Sequence, residues 1–290
     1  MNGARKAVEH RELGELVGRV LEEDAPSGDL TSELTVMPRD RCRAELRAKA
    51  EGVLAGIAAA QTAFDLAAER TGLGPVQIDW KHADGDAVHP DELLAQISGP
   101  AMAILRGERV AINFLGHLSG VATLTRAFVE AARPALILCT RKTTPGLRAL
   151  EREAVAAGGG SLHRASLSAA VLIKDNHIRI AGGVGEAVRR AKQARPNADV
   201  EVEVESPAEL DEAVAAGADR ILLDNPTPEL VREAVSRVGD AGRLEISGGV
   251  TLESVSSLVA AGARVISVGR ITHSAPSLDM SLEVVDVDRL

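Results

Sequence analysis

Charged and small residues follow a series of short apolar segments in the second half of the chain. Lysine and arginine bind carboxylate and phosphate groups, carboxylates bind cations, and glycine lets the backbone approach a ligand closely. This combination predicts a site for small polyanionic substrates. The residues concerned are Thr140-Arg141-Lys142, Lys174-Asp175-Asn176-His177, Asp224-Asn225, Ser247-Gly248-Gly249 and Gly269, with Glu201, Glu203 and Glu205 in and directly after the third segment.

Three glutamates alternate with valines along residues 200–205. If this segment is a strand, Glu201, Glu203 and Glu205 share one face, and the valines face the surrounding helices. Three carboxylates pointing into a protein interior need compensating charge, from lysine and arginine on neighbouring strands or from a divalent metal. The alternative is a solvent-exposed edge strand with a polar face.

A glycine triplet, Gly158–Gly160, precedes His163 and Arg164. The triplet allows close approach of the backbone to a ligand, and the His-Arg pair adds hydrogen-bond donors that match carboxylate or phosphate. With Arg141, Lys142 and Lys174 the pair makes five donors, four of them cations, which suits two anionic substrates. A flexible loop with a surface arginine is the alternative for this segment alone.

The six apolar segments are separated by stretches with helical patterning, which is typical of parallel β/α units. The sequence Ala-Ala-Gly-Ala at 215–218 recurs at 260–263, each time leading into an apolar segment. We therefore predict a closed α/β barrel with the site at the carboxyl ends of its strands; an open doubly wound sheet is the second choice. The predicted strands are Ala135–Cys139, Ala169–Ile173, Val200–Val204, Arg220–Leu223, Arg243–Ile246 and Arg264–Val268.

The first hundred residues have a different pattern. Apolar residues from Leu13 to Leu21 recur at helical spacing and predict an amphipathic helix that ends near Asp24. Alternating residues in 42–56, 76–80 and 93–97 predict strands of an antiparallel sheet. A long helix is expected from about Glu108 to Ala132.

Composition excludes several classes of function. The net charge of −9, with no tyrosine, three phenylalanines and one tryptophan, disfavours binding to nucleic acid or to acidic membranes. The two cysteines, Cys42 and Cys139, are too few for a disulfide framework or a cysteine-rich zinc site, and no segment has the length of a membrane span. A cytoplasmic protein is expected.

Common catalytic motifs are also missing, since the chain has no Walker A loop, no strand followed by G-x-G-x-x-G and no G-x-S-x-G elbow. Lys174 could form a Schiff base, as in a barrel lyase, if its amine were neutral. A non-enzymatic metabolite-binding barrel is the remaining alternative, although it would not require a charged group after each strand.

Seven ordered motifs between about Glu23 and Leu282 resemble those of quinolinate phosphoribosyltransferases, also called carboxylating nicotinate-nucleotide pyrophosphorylases. They are Glu23-Asp24 with Gly28-Asp29-Leu30-Thr31, Glu108-Arg109 with Asn113-Phe114-Leu115, Thr140–Gly146, Leu172–His177, Leu223-Asp224-Asn225, Ser247-Gly248-Gly249 and Ser267-Val268-Gly269.

The resemblance implies an α/β protein with an N-terminal α+β open-faced sandwich domain, 1–113, on which the C-terminal tail 276–290 packs. An incomplete, seven-stranded type of α/β barrel, 114–275, would follow. The implied reaction transfers phosphoribose from phosphoribosyl pyrophosphate (PRPP) to the nitrogen of quinolinate and releases pyrophosphate and carbon dioxide, as in NAD biosynthesis. Magnesium is the implied cofactor. A homodimer with shared active sites is expected, and a hexamer is compatible.

The resemblance also implies a role for each site residue. Lys142, Glu203 and Asp224 are expected to be catalytic, and Glu203 and Asp224 to lie near the ribose and the magnesium bound to PRPP. Quinolinate would be bound by Arg109 from the partner subunit together with Thr140, Arg141, His163, Arg164 and Lys174. PRPP would be bound by Lys142, Lys174, Glu203, Asp224, Ser247, Gly248, Gly249 and Gly269.

Some residues depart from the family pattern. Leu162 precedes the His-Arg pair where asparagine is expected, Pro226 follows Leu-Asp-Asn, Arg270 follows the last glycine, and Ala169-Ala170 replaces a more polar stretch. These changes keep open a related phosphoribosyltransferase that uses another aromatic acid.

Overall fold

A computed structural model describes residues 2–288 of the chain, with the side chains of residues 11–288. It divides into two compact units: Met1–Thr123 with Ala149–Gly158 and Ala275–Leu290, and Leu124–Arg148 with Gly159–Ser274. The predicted division at residue 113 falls inside a continuous helix, Ala101–Ala131, and the two units meet along the chain at Thr123 instead.

The first unit contains a four-stranded antiparallel sheet in the order β12-β1-β5-β3. On β1, the predicted alternation is confirmed: Ala44, Leu46 and Ala48 are buried. The strands of this unit are β1 (Arg41–Ala48), β2 (Gly52–Val53), β3 (Gln77–Trp80), β4 (Ala87–Val88), β5 (Leu93–Pro100) and β12 (Met280–Asp288). The helices that begin in it or belong to it are α1 (Asn2–Asp24), α2 (Leu30–Thr35), α3 (Ile57–Thr71), α4 (Ala101–Ala131) and α5 (Arg148–Ala157).

Helices α1 and α3 pack together, and α3 buries an almost purely aliphatic face around Phe64. Helix α4 begins at Ala101, directly after β5, so it starts before the predicted position near Glu108. The C-terminal strand β12 pairs with β1 along its whole length, from Arg41 opposite Asp288 to Ala48 opposite Met280.

The second unit contains a six-stranded parallel sheet, and all six predicted strands are confirmed. They are β6 (Leu136–Leu138), β7 (Val171–Ile173), β8 (Val200–Val204), β9 (Arg220–Asp224), β10 (Leu244–Ser247) and β11 (Val265–Ser267). The helices between and after them are α6 (Asp175–Ala181), α7 (Val184–Ala194), α8 (Pro207–Ala215), α9 (Pro228–Val238), α10 (Leu252–Ala260) and α11 (Arg270–His273).

The strand order, β6-β11-β10-β9-β8-β7, follows the chain and returns from the last strand to the first. This is the connectivity of a barrel, because a doubly wound sheet reverses its order at a central strand. Ser161 adds a one-residue bridge on the free side of β6: its N–H donates to Ile137 O at 2.7 Å. In the described part of the chain no strand pairing joins Ser161 to β7, so the barrel is incomplete.

The repeated Ala-Ala-Gly-Ala sequence ends two barrel helices in the same way. Gly217 and Gly262 follow α8 and α10 with φ values of +82° and +112°, a conformation that favours glycine. The N–H of the next residue donates a hydrogen bond of 3.1 Å to a carbonyl in the last turn of the helix, from Ala218 to Ala213 O and from Ala263 to Leu258 O. The repeat is therefore a helix stop that turns the chain into the following strand.

No helix among the described residues combines the length and the apolar character that crossing a membrane requires.

Two helical glycines of the first unit give a matched test of packing. A Cβ at Gly120 would lie 2.0 Å from Pro276 O, whereas a Cβ at Gly14 would meet nothing within 4 Å. Gly120→Ala should lower the free energy of unfolding by about 1–3 kcal/mol, because the tail must move away from α4. Gly14→Ala should raise it by up to about 1 kcal/mol through helix propensity. Urea unfolding of both variants tests this packing, and equal effects would contradict it.

Candidate active site

A cavity of about 480 Å³ lies at the carboxyl ends of the barrel strands, entirely within the second unit. Most residues that the sequence predicted for the site line it. These are Thr140, Arg141, Lys142, His163, Arg164, Lys174, Glu203, Asp224 and Ser247. The prediction that polar strand ends converge on one face of the barrel is confirmed.

The other predicted residues are not among those that line the cavity. Gly269 lies beside it, since a Cβ there would be 3.1 Å from Lys142 Cδ. Gly248 and Gly249 follow Ser247, which does line it. Arg109 belongs to the first unit, where its side chain is exposed on α4.

The carboxylates of β8 are inside the barrel, as predicted. The strand lies between β7 and β9, and Glu201 and Glu203 are buried, so the alternative of an exposed edge strand is wrong. Lys174, at the end of β7, donates from Nζ to Glu203 Oε2. A cation from a neighbouring strand thus balances this carboxylate, while Glu205 is exposed at the strand end.

His163 balances two further carboxylates. Its Nε2 lies 3.5 Å from Glu201 Oε2 and 3.5 Å from Glu245 Oε2. Hydrogen bonding to these two side chains raises the pKa of His163 to about 9, against a usual 6.5. Burial, reinforced by the charge of Glu245, raises the pKa of Glu201. The histidine is therefore a cation at neutral pH.

Arginine and lysine side chains form the cationic part of the cavity. Burial lowers the pKa of Arg164, the positive charge of Arg141 lowers it further, and the negative charge of Glu201 acts in the opposite direction. Arg164 Nη1 donates to Ala170 O at 3.0 Å, and Thr272 Oγ1 donates to Lys142 O at 2.8 Å. The cations are thus held near one another, and an anion between them would relieve the repulsion.

The loops after β9 and β10 fit closely together. Asn225 N donates to Ser247 O at 2.8 Å, and Gly248 has a φ of +89°. A Cβ at Gly248 would lie 2.3 Å from Asn225 Oδ1, so only glycine fits there. Asn225 Nδ2 also donates to Asp224 Oδ2 at 2.8 Å, which orients that carboxylate. The result is a small-residue loop next to an oriented acidic group.

Sequence reasoning missed several residues that line the cavity or lie below it. Glu245 is inward-facing on β10 and accepts a hydrogen bond from Ser267 Oγ of β11. The alternation that identified Glu201 applies equally to Glu245, which lies between Leu244 and Ile246. The other lining residues without a predicted role are Leu172, Asp175, Glu205, Leu222 and Ser267.

The cavity contains both kinds of charge. Arginine, lysine and histidine side chains can bind carboxylates or phosphates, and Glu203 and Asp224 can stabilise positive charge nearby. Such a cavity fits the transfer of a group between two anionic substrates through a positively charged centre.

Comparison with known proteins gives the same family along nearly the whole chain. The N-terminal domain model of quinolinate phosphoribosyl transferase matches residues 29–119, and the C-terminal domain model matches residues 121–283. A probable nicotinate-nucleotide pyrophosphorylase [carboxylating] of Bacillus subtilis is 44% identical over 95% of this chain and 94% of that protein. A chloroplastic enzyme with the same activity name from Arabidopsis thaliana is 38% identical over 94% and 83%.

A solved structure agrees with the sequence relatives. The nicotinate-nucleotide pyrophosphorylase of Francisella tularensis superimposes with a TM-score of 0.87 at 36% identity, covering 95% of this chain and 96% of that one. Both family models, relatives that match 94–95% of this chain and a solved structure with the same fold lead to one conclusion. The chain belongs to the quinolinate phosphoribosyltransferase family.

Proposed function

We propose that this protein transfers phosphoribose from PRPP to the ring nitrogen of quinolinate, giving nicotinate mononucleotide, pyrophosphate and carbon dioxide. The observation that carries the proposal is one cavity that is lined both by the cations Arg141, His163 and Arg164 and by the carboxylates of Glu203 and Asp224. The family matches support the same reaction, which is a pentosyl transfer that serves NAD biosynthesis.

The acid substrate would bind at the cationic part of the cavity. Quinolinate carries two carboxylates, and Arg141, Arg164 and the cationic His163 can each pair with one of their oxygens. Thr140 and Lys174 lie beside them, and Arg109 would be supplied by a second subunit. Two carboxylates need more than one cation, which a site built for a monocarboxylate would lack.

The PRPP end would lie toward β8, β9 and β10. Glu203 and Asp224 would stand near the ribose, Lys142 and Lys174 near the pyrophosphate, and Ser247–Gly249 with Gly269 near the 5′-phosphate. Glycine at these positions leaves backbone N–H groups accessible to phosphate oxygens. The cavity lining supports these positions for the residues with side chains, namely Lys142, Lys174, Glu203, Asp224 and Ser247.

The donor set fits magnesium. Glu203 and Asp224 are carboxylates on neighbouring strands and line the same cavity, and hard oxygen ligands of this kind suit Mg²⁺ bound to a polyphosphate. Bound there with PRPP, magnesium would neutralise charge on the departing pyrophosphate. Lys174, now paired with Glu203, would be available to the anionic substrates.

The chain's own residues mainly position and neutralise. As the bond from ribose carbon to pyrophosphate breaks, positive charge develops on the ribose, and Glu203 and Asp224 stabilise it electrostatically. The quinolinate nitrogen then forms the new bond and becomes cationic. Carbon dioxide leaves from the adjacent ring carbon, which keeps the electron pair beside the positive nitrogen and then takes a proton. No covalent enzyme intermediate is required.

The Schiff-base alternative is less well supported. Its nucleophile, Lys174, pairs as an ammonium with the buried carboxylate of Glu203. Schiff-base formation needs a neutral amine in apolar surroundings. The surroundings here are ionic, which favours a binding role for Lys174.

We also propose that the protein works as a homodimer in the cytoplasm. The exposed position of Arg109, far along the sequence from the cavity residues, supports its contribution to a partner's site. Both cysteines, Cys42 and Cys139, are buried and neither is in a disulfide, as suits a reducing compartment.

The reaction is tested by an assay with quinolinate, PRPP and magnesium, in which nicotinate mononucleotide is measured. We expect product with quinolinate and none with nicotinate, because the second carboxylate is needed both for binding and as the leaving carbon dioxide. Product from nicotinate alone, or from neither acid, would contradict the proposal. In the latter case other aromatic acids should be screened with PRPP.

The role of the cationic cavity is tested by Lys142→Ala. We expect kcat/KM to fall by about 10²–10⁴-fold, because a charge that neutralises the leaving pyrophosphate is lost. Lys192→Ala is the matched control: Lys192 pairs with Asp219 away from the cavity and should retain near-normal activity. Comparable activities of the two variants would argue against the assigned pocket.

The shared site is tested by mixing two inactive variants, Arg109→Ala and Lys142→Ala. If Arg109 acts in the partner's cavity, a mixed dimer has one site with both residues intact. Reassociation of equal amounts should then restore about a quarter of the wild-type activity, on the assumption of random pairing. A mixture that stays inactive although the subunits have exchanged would show that Arg109 acts within its own subunit or has no role.

A further inference from the structure

Four polar side chains, mostly buried, contact one another in series next to the proposed acid-binding part of the cavity. Ser267 Oγ of β11 donates to Glu245 Oε1 of β10, and Glu245 Oε2 lies 3.5 Å from His163 Nε2. Glu201 Oε2 of β8 lies at the same distance from His163 Nε2 on the other side. The proposed function assigns no role to Ser267 or Glu245.

Burial makes this cluster energetically demanding. Glu245 is 3% exposed and Glu201 is 7% exposed. Glu201 Oε1 has no hydrogen-bond partner, and Glu245 Oε2 has only the long contact of 3.5 Å to His163 Nε2. Two adjacent carboxylates in such surroundings repel each other unless a cation lies between them or one of them is protonated. His163 is the side chain placed between them, with its own surface 14% exposed at the cavity.

The cationic groups near His163 favour the neutral form of its imidazole, whereas the two glutamates favour the charged form. Arg141, Arg164 and Lys174 line the same cavity and would favour a neutral imidazole. Glu201 from β8 and Glu245 from β10 are in direct contact with the ring, and their effect prevails, as the pKa of about 9 indicates. A neutral ring would leave two buried carboxylates facing each other without a cation.

We propose that Glu245, held by Ser267, is a positioning residue for acid binding. It keeps His163 cationic and fixed beneath the bound acid, so that the cavity retains its full positive charge above neutral pH. This inference rests on the proposed function, since it assigns His163 the carboxylates of quinolinate. Glu245 itself does not contact the substrate.

A metal site is the competing interpretation. The ligand-capable atoms of His163, Glu201 and Glu245 all lie within 4.8 Å of one another, the one such group that the described residues form. A metal would need a neutral imidazole, and it would place a cation where His163 already supplies one. The hydrogen bond from Ser267 occupies Glu245 Oε1, and the neighbouring arginines would repel a divalent ion more strongly than a singly charged imidazolium.

The kinetic test compares the pH dependence of KM for quinolinate in the wild type and in Glu245→Gln. In the wild type KM should stay constant up to about pH 8.5, because His163 remains charged below its pKa. In Glu245→Gln the charge should be lost as the pH rises through a lower pKa. KM should then increase by about tenfold for each unit of the shift, while kcat changes by less than about threefold. Unchanged KM profiles would overturn the proposal.

A matched control separates positioning from stability. Glu151→Gln removes a fully buried glutamate that lies 2.8 Å from His117 in the first unit, well outside the cavity. It should lower the melting temperature without altering the pH profile. If Glu245→Gln does not fold, Ser267→Ala tests the same idea, because it removes the hydrogen bond that orients Glu245. A smaller shift of the profile in the same direction is expected.

A direct readout distinguishes failure of this inference from failure of the proposed reaction. NMR titration of the His163 imidazole requires no substrate, and it should show a pKa near 9 in the wild type and a clearly lower one in Glu245→Gln. An equal pKa in both proteins would overturn the inference even if quinolinate is the substrate. Stoichiometric metal in the purified protein that is lost in Glu245→Gln would also overturn it, in favour of the metal site.

Discussion

The structure of the second unit depends on charge balance inside a barrel. A parallel barrel strand has one face toward the helices and one toward the interior, and on β8 the interior face consists of glutamates. Once Glu201 and Glu203 are enclosed, each needs a positive partner, and the neighbouring elements supply Lys174 and His163. The positions of the strand-end loops that bear these cations are therefore set by the carboxylates they neutralise.

This internal charge balance explains how an acidic protein can bind polyanions. The chain carries a net charge of −9, so its long-range field repels the substrates proposed for it. Within the cavity, however, Glu203 is paired with Lys174, and Arg164 feels the positive charge of Arg141 more strongly than the negative charge of Glu201. Attraction is thus local, and it operates within a few ångströms in a partly desolvated space where charges interact strongly.

The sequence predicted the barrel well because buried parallel strands are short apolar segments with clear ends. It predicted the first residue of helix α4 poorly. The residues from Ala101 to Gly107 are apolar or small on most faces of the helix, so they show little helical periodicity. The polar strand ends were identified because they are a visible pattern. Glu245 has only a short alternation, Leu244-Glu245-Ile246, and Ser267 becomes notable only through its hydrogen bond to Glu245. The distance between His163 and Glu245 depends on how the loop before β7 folds against β10, which no local sequence pattern contains.

The bridge at Ser161 has a consequence for how this site can change during evolution. The segment from Leu162 to Ala170, which carries His163 and Arg164, enters the barrel through a single backbone pairing with β6 and spans the gap before β7. Leu162 and Leu167 in this segment are 48% and 71% exposed. Insertions and replacements here would break no ladder of strand hydrogen bonds. Natural variation can therefore change this part of the cavity lining, which includes His163 and Arg164, while the barrel strands stay the same.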